Sequence, residues 1–246
     1  MICQCCNESP PRYSLLAEDV HRCNYCQHIY RDYKGDSVKF HAENFRDVKK
    51  ARRHIDEIDE NGNITELFHQ KRKDIVSRRV DFVKEILNSD FNCLDVGAGA
   101  GTFAKEVRRW VSSIECTELT PSLIKECKKL GFKTYEQDFL KFTSGKKYDI
   151  VFAWHVLEHV DDIKKFRDRL LEATNRYAVV EIPLLVALNG EGRRRNLKPP
   201  NNGNYDGHAH YFSETSFIEL FKNQFNIIML KEGVQSPALF AILEKK

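Results

Sequence analysis

Residues Asp95 to Gly101 read Asp-Val-Gly-Ala-Gly-Ala-Gly: an acid and three alternate glycines, Gly97, Gly99 and Gly101, closing a short apolar run that begins at Cys93. Glycines at this spacing let the backbone turn tightly and leave room for a ligand where a side chain would collide. No Lys-Ser or Lys-Thr pair follows, so the run is not the loop of a phosphate-gripping NTPase. Glu118 stands about 20 residues further on, the separation at which a carboxylate reaches the two hydroxyls of a ribose in a βαβ unit. Asp138 and Phe139 add a carboxylate and an aromatic ring where a third strand should end. Together these residues have the form of a nucleotide-cofactor site.

Four cysteines carry a second kind of chemistry. Cys3-x-x-Cys6 and Cys23-x-x-Cys26 match the two-knuckle zinc pattern, and four thiolates at this spacing can close a tetrahedral shell. Such a shell has no open position, so the metal it holds is expected to be structural. A segment of about 30 residues cannot build a stable core without such a staple. Cys5 could replace Cys3 or Cys6, although only that pair has the knuckle spacing. Cys93, Cys116 and Cys127 fall in predicted core elements and read as small apolar fillers.

These groups need a scaffold, and the apolar periodicity supplies one. Thr102 to Val111 carries Phe103, Ala104, Val107 and Val111 at helical spacing, and Ile114 to Glu118 reads as a strand. Pro121 to Leu130 reads as the next helix, ended by Gly131, with a strand over Lys133 to Glu136. Tyr148 to Trp154 is nearly continuous apolar, as a parallel strand buried on both faces should be. Asn226 to Lys231 and Ala238 to Glu244 read as a closing strand pair. Upstream, Val76, Val80, Val83 and Leu87 predict an amphipathic helix over Lys73 to Leu87.

With the glycine turn, the spaced acids and the segment His155-Val-Leu-Glu-His-Val160 in place, the chain resembles the class I S-adenosylmethionine-dependent methyltransferases, in the methyltransferase-23-like branch. The resemblance covers about Phe82 to the C-terminus. It implies an α/β fold: a doubly wound, mostly parallel seven-stranded Rossmann-like sheet with an antiparallel last strand. It also implies that Asp95 and the three glycines hold the methionine end of the cofactor, that Glu118 binds the ribose, and that Asp138, Phe139 and Trp154 lie against the cofactor. The rival reading, hydride transfer with a nicotinamide, is disfavoured because its fingerprint has a wider gap before the third glycine.

In such a fold the reaction lies beyond the ends of the fourth and fifth strands, near His155, Glu158, Glu181, His208, His210 and Tyr211. Methyl transfer from a sulfonium is an in-line displacement, for which the protein aligns donor and acceptor and often removes a proton. Histidine suits the base role, and His155 is the first choice, His210 the second. Glu158 and His159 are expected to start or anchor the next helix, whose N-terminal dipole Asp161 and Asp162 also favour; Ser213 is placed to cap the one after His210. Between residues 184 and 207, Arg193-Arg194-Arg195 would suit an anionic substrate such as a nucleotide-linked sugar, with Arg194 the representative contact.

The expected organisation is a zinc-ribbon-like module over residues 1–36, a charged helical connector over 37–88, and the methyltransferase domain over 89–246. Lysine and arginine total 39 against 36 acidic residues, a net charge of +3, so the basic clusters of the connector are interleaved with acids and argue against a nucleic-acid surface. The expected partner is a small molecule; a nucleic acid or protein substrate is the alternative, weakened because no Asn-Pro-Pro-Tyr-like segment follows the fourth strand. No secretory leader or membrane span is legible, and a cytoplasmic setting is expected.

Overall fold

The structure, a computed structural model, describes residues 2–8, 13–17, 20–31, 65–184, 208–233 and 238–246. The connector ahead of residue 65 and the arginine triplet that includes Arg194 lie outside the described residues.

The N-terminal module holds three antiparallel strands, β1 (Tyr13–Ala17), β2 (Val20–Cys23) and β3 (Ile29–Arg31). A helix, α1 (Glu66–Val83), leads into the main body, whose alternation runs β4 (Asn92–Val96), α2 (Thr102–Val107), β5 (Ser113–Thr117), α3 (Pro121–Lys129) and β6 (Thr134–Tyr135). It continues through β7 (Tyr148–Trp154), α4 (Ile163–Ala173), β8 (Thr174–Pro183), β9 (His210–Tyr211), α5 (Glu214–Phe221), β10 (Phe225–Glu232) and β11 (Ala238–Lys245).

The large sheet has the order β10-β11-β8-β7-β4-β5-β6. From β8 to β6 every pairing is parallel, whereas β11 inserts antiparallel between β8 and β10. This is the sheet expected from the sequence, including its reversed last strand. Parallel strands are buried on both faces, and β7 shows why its apolar run is unbroken: Ile150 and Phe152 face one core with Cys93 and Val179, while Val151 and Ala153 face the other with Leu94 and Val180. The first core is closed by α1 and α2 through Val83, Phe103 and Val107. The second is closed by α4 and α5 through Phe166, Leu170, Phe217 and Phe221.

Helix ends follow their local chemistry. Asp162 caps α4 by accepting from the Lys165 amide at 2.8 Å, and Ser213 opens α5 with a reciprocal capping box to Ser216. α1 begins seven residues before the predicted start at Lys73 and gives way to a 3₁₀ turn at Lys84, and α2 stops at Val107, short of Val111. Val76 and Val83 nevertheless turn inward as their spacing requires.

A second sheet joins the two parts of the chain. Its order is β1-β2-β3-β9, so a two-residue strand from the body, with His210 opposite Tyr30, supplies the fourth strand of the cysteine module.

Candidate active site

β4 and β5 deliver their acids to the same end of the sheet, the carboxyl end, where open α/β sheets bind ligands. Asp95 sits on β4 with both carboxylate oxygens buried and without a hydrogen-bond partner. Burial pushes its carboxyl up to about 7; the Arg79 charge opposes this and Glu118 adds to it. The glycine turn follows. Gly97 has φ +63°, and a Cβ there would stand 2.8 Å from Val156 Cγ2, so the residue must be glycine for β4 to turn against the segment after β7. Gly99 has φ +58° with nothing within 4 Å of an added Cβ, which leaves the middle of the turn facing open space. Gly101, at φ +71°, opens α2.

Glu118, just past β5, ties this turn down. One oxygen accepts from the Gly99 amide at 2.8 Å, and the other accepts from the amides of Leu119 and Thr120 at 2.8 and 2.9 Å. Its carboxylate therefore stands at the open face of the turn, where its position in the sequence puts it. Asp138 turns back to cap its own 3₁₀ turn, accepting from the Leu140 amide at 2.9 Å. Phe139 does not face the crevice: it is buried against Phe142 and Phe166. Trp154 is likewise a core residue, 4.7 Å from the Phe103 ring, with the Arg79 guanidinium 5.1 Å from its centroid. Only its indole Nε1, buried and without an acceptor, is left for a ligand.

Beyond β7, His155 is held at φ +57° between two carboxylates. Its Nδ1 lies 2.9 Å from Glu158 Oε1 and its Nε2 3.2 Å from Glu181 Oε1. Burial disfavours its charge, but the two acidic partners win and hold it up at about 9; both carboxylates are lowered in return. Arg79 on α1 completes the chain with Nε 2.6 Å from Glu181 Oε2. Glu181 lies within β8, opposite Trp154, not beyond the strand's end. With both ring nitrogens committed and a proton on each at neutral pH, His155 is a charge partner and not a free base, which corrects the expectation from sequence.

His210 is corrected for a different reason. It is buried on β9, its Nδ1 3.1 Å from His28 Nε2, in a stacked pair that faces the cysteine module. Burial, helped by the His28 charge, lowers it to about 3. Half-buried His208 and Tyr211 do stand with His159: the His159 and His208 rings meet edge to face at 4.8 Å, and His208 meets Tyr211 at 5.7 Å. Glu158 and His159 lie in a 3₁₀ turn ahead of α4 and not in that helix. The backbone amide of Ala209 bonds the Glu158 carbonyl at 2.8 Å, which binds β9 to this turn.

Residues 67–228, about two thirds of the chain, match the family described as methyltransferase domain. The chain belongs to the methyltransferase domain family. It is a methyltransferase of the S-adenosylmethionine-dependent kind, as the glycine turn and spaced acids imply. Solved structures share its fold at low identity. Magnesium protoporphyrin IX methyltransferase from Synechocystis, with bound S-adenosylhomocysteine, superposes with a TM-score of 0.59 at 16% identity over 86% of this chain and 100% of that one. The N-methyltransferase NodS from Bradyrhizobium japonicum, also with S-adenosylhomocysteine, gives 0.55 at 16% over 85% and 99%. An S-adenosylmethionine-dependent methyltransferase from Clostridium acetobutylicum gives 0.52 at 13% over 84% and 98%. A comparison with curated proteins finds no match.

Apart from this methyltransferase fold, Cys3, Cys6, Cys23 and Cys26 converge, their sulfurs all within 4.8 Å of one another. Cys3 and Cys26 are 3.6 Å apart and Cys6 and Cys23 3.7 Å, close to the edge of about 3.8 Å expected for a tetrahedron of sulfurs around zinc at about 2.3 Å. The two knuckles repeat one another. Asn7 and Gln27, each following the second cysteine of a pair, have φ +60° and +62°, and their amides bond back to Cys3 and Cys23 carbonyls. Cys5 is buried beside Cys3 and His28, which form a second grouping. Bonding to Cys3 pushes the Cys26 thiol up, burial pushes Cys6 up to about 12, and bonding to Cys26 holds Cys3 well down.

One residue of the candidate site, Arg79, went unread in the sequence: it falls on the inward stripe of α1 between Val76 and Val83, and a basic residue on an apolar face was its signal. The pairing of His28 in the cysteine module with His210 had no local signal, because the two are 182 residues apart.

Proposed function

We propose that this methyltransferase moves the methyl group of S-adenosylmethionine to a carbon or oxygen of a small, anionic metabolite, such as a nucleotide-linked sugar. The carrying observation is the pairing of Glu118, fixed by the Gly99 amide on the open face of the turn, with Asp95, buried and unpartnered at the base of it. These residues fit the cofactor: Glu118 would accept from ribose hydroxyls, the open space above Gly99 would admit the methionine portion, and the unmatched oxygens of Asp95 give a cationic amine somewhere to bond. S-adenosylmethionine, when bound, supplies a methyl group on a positively charged sulfur. The chain's own part is to hold the acceptor beside it. Glu158, His159, His208 and Tyr211 form that face, and His159 and His208 replace His155 and His210 as the groups able to take a proton.

Arg194 and its neighbours are the proposed anion contact. The cysteine cluster is proposed to hold a structural Zn²⁺, for which Cys3, Cys6, Cys23 and Cys26 have the chemistry and the spacing; the ion would supply a crosslink and no reaction step. A small-molecule acceptor is supported by one solved relative being named for magnesium protoporphyrin IX. Titration calorimetry with S-adenosylmethionine and, separately, with NAD tests the cofactor: binding of NAD alone overturns the reading. Mass spectrometry of metabolites incubated with labelled donor then identifies the acceptor.

A further inference from the structure

We propose that Cys3, Cys5 and His28 form a second metal site that shares the Cys3 sulfur with the four-cysteine cluster, so that the N-terminal module takes two Zn²⁺ ions joined through a bridging thiolate. The inference rests on the four-thiolate reading of the first ion and goes beyond it in number and in ligands. The Cys3, Cys5 and His28 donor atoms all lie within 4.8 Å of one another. Cys3 Sγ and His28 Nδ1 are 3.8 Å apart, and a tetrahedral zinc bonded to sulfur at about 2.3 Å and to nitrogen at about 2.0 Å holds such a pair about 3.5 Å apart. A closure of about 0.3 Å completes that edge.

Burial and charge both suit a second ion. Cys5 is 2% and His28 0% exposed, so a fifth sulfur and an imidazole have been taken out of water beside a cluster that already crowds four thiolates. One dication among four thiolates leaves a doubly negative centre in a dry interior, which is costly. A second dication, with one more thiolate and a neutral imidazole, leaves it singly negative. Cys26, 3.6 Å from Cys3 and bonded to Cys5 as well, is the sulfur at hand for the fourth position. The Cys3 and Cys26 pair then becomes the edge common to two tetrahedra, and its length is close to the roughly 3.8 Å that two sulfurs on one zinc require.

The far side of the His28 ring is engaged as that of a ligating histidine is. Its Nε2 lies 3.1 Å from His210 Nδ1, and a proton donated there to His210 leaves the Nδ1 lone pair to face Cys3 and Cys5. His210 belongs to β9, the strand that the methyltransferase body contributes to the module's sheet. The first ion crosslinks the two knuckles, and the second extends that crosslink toward the body.

The test is native mass spectrometry of the full-length protein titrated with Zn²⁺, with cobalt substitution read optically in parallel. Wild type should bind two ions. Cys5→Ala and His28→Gln should each bind one, with sulfur-to-cobalt charge transfer retained, and His210→Ala should weaken the second ion about tenfold or more while leaving the first in place. If His28→Gln prevents folding, Cys5→Ala decides alone. A single ion in wild type, or two ions retained in Cys5→Ala, overturns the second site and leaves the four-thiolate reading standing; uptake of no ion at all overturns both.

Discussion

Gly97 and Gly99 share a left-handed backbone but differ in what an added methyl group would meet, and this predicts opposite phenotypes. Alanine in that conformation costs about 1–2 kcal/mol at either position. At residue 97 the new Cβ would also lie 2.8 Å from Val156 Cγ2, an overlap worth about 1–3 kcal/mol more. Gly97→Ala should therefore lose about 2–5 kcal/mol and Gly99→Ala only about 1–2, with Tm falling by roughly 2–4 °C for each kcal/mol in a chain of this size. For cofactor affinity the order reverses. Gly99→Ala puts its methyl into the open space assigned to the ligand, and at least a tenfold weaker Kd for S-adenosylmethionine, about 1.4 kcal/mol, should appear by calorimetry. Combining Gly97→Ala with Val156→Ala should recover the overlap but not the backbone strain. Equal Tm losses at the two glycines, no coupling to Val156, or an unchanged Kd in Gly99→Ala would refute the argument.

The His155 ion pairs stabilise the fold fully below the unfolded histidine value near 6.5, and that contribution declines as pH rises and is gone above about 9. Because the imidazole is 39% exposed, solvent screening reduces the effect to about 1–2 kcal/mol; urea unfolding at pH 6 and pH 10 should show this alkaline loss in wild type and not in His155→Ala. Ser213→Ala removes both the α5 cap and a 2.6 Å bond to the Cys26 carbonyl, so a loss of about 1–2 kcal/mol in chemical denaturation is expected. Phe152→Ala, in the core between Phe103 and Trp154, should cost about 3–5 kcal/mol by the same measurement. Cys23→Ser should lower the intensity of the sulfur-to-cobalt charge-transfer band and weaken cobalt binding, and an unchanged band with unchanged affinity would rule out the four-thiolate site.

The sheet was legible because its signals are local: β7 is an unbroken apolar run, and the glycine turn follows β4 within one residue. The place of Glu118 beside the glycine turn was legible for the same reason, its separation from the glycines being fixed by one helix and one strand. What failed were roles set by partners far along the chain. His155 looked like a base until Glu181, 26 residues on, occupied its second nitrogen. His210 looked exposed to substrate until the cysteine module covered it. Phe139 and Trp154 sit at the strand ends where cofactor contacts belong, but strand ends also border the core, and the ring neighbours decided in its favour. The Glu158 turn was read as a helix start because acids precede α4, and the true cap, Asp162, lies four residues later.

β9 is only two residues long, yet it is hydrogen-bonded to β3 and its flanking residue is tied to the Glu158 carbonyl. The cysteine module is consequently no detachable cassette. Cutting the chain after residue 36 would strip a buried imidazole of its neighbour, bare a strand edge and slacken the turn on which the acceptor face is built, so the first thirty residues and the last hundred must mature as one folding unit.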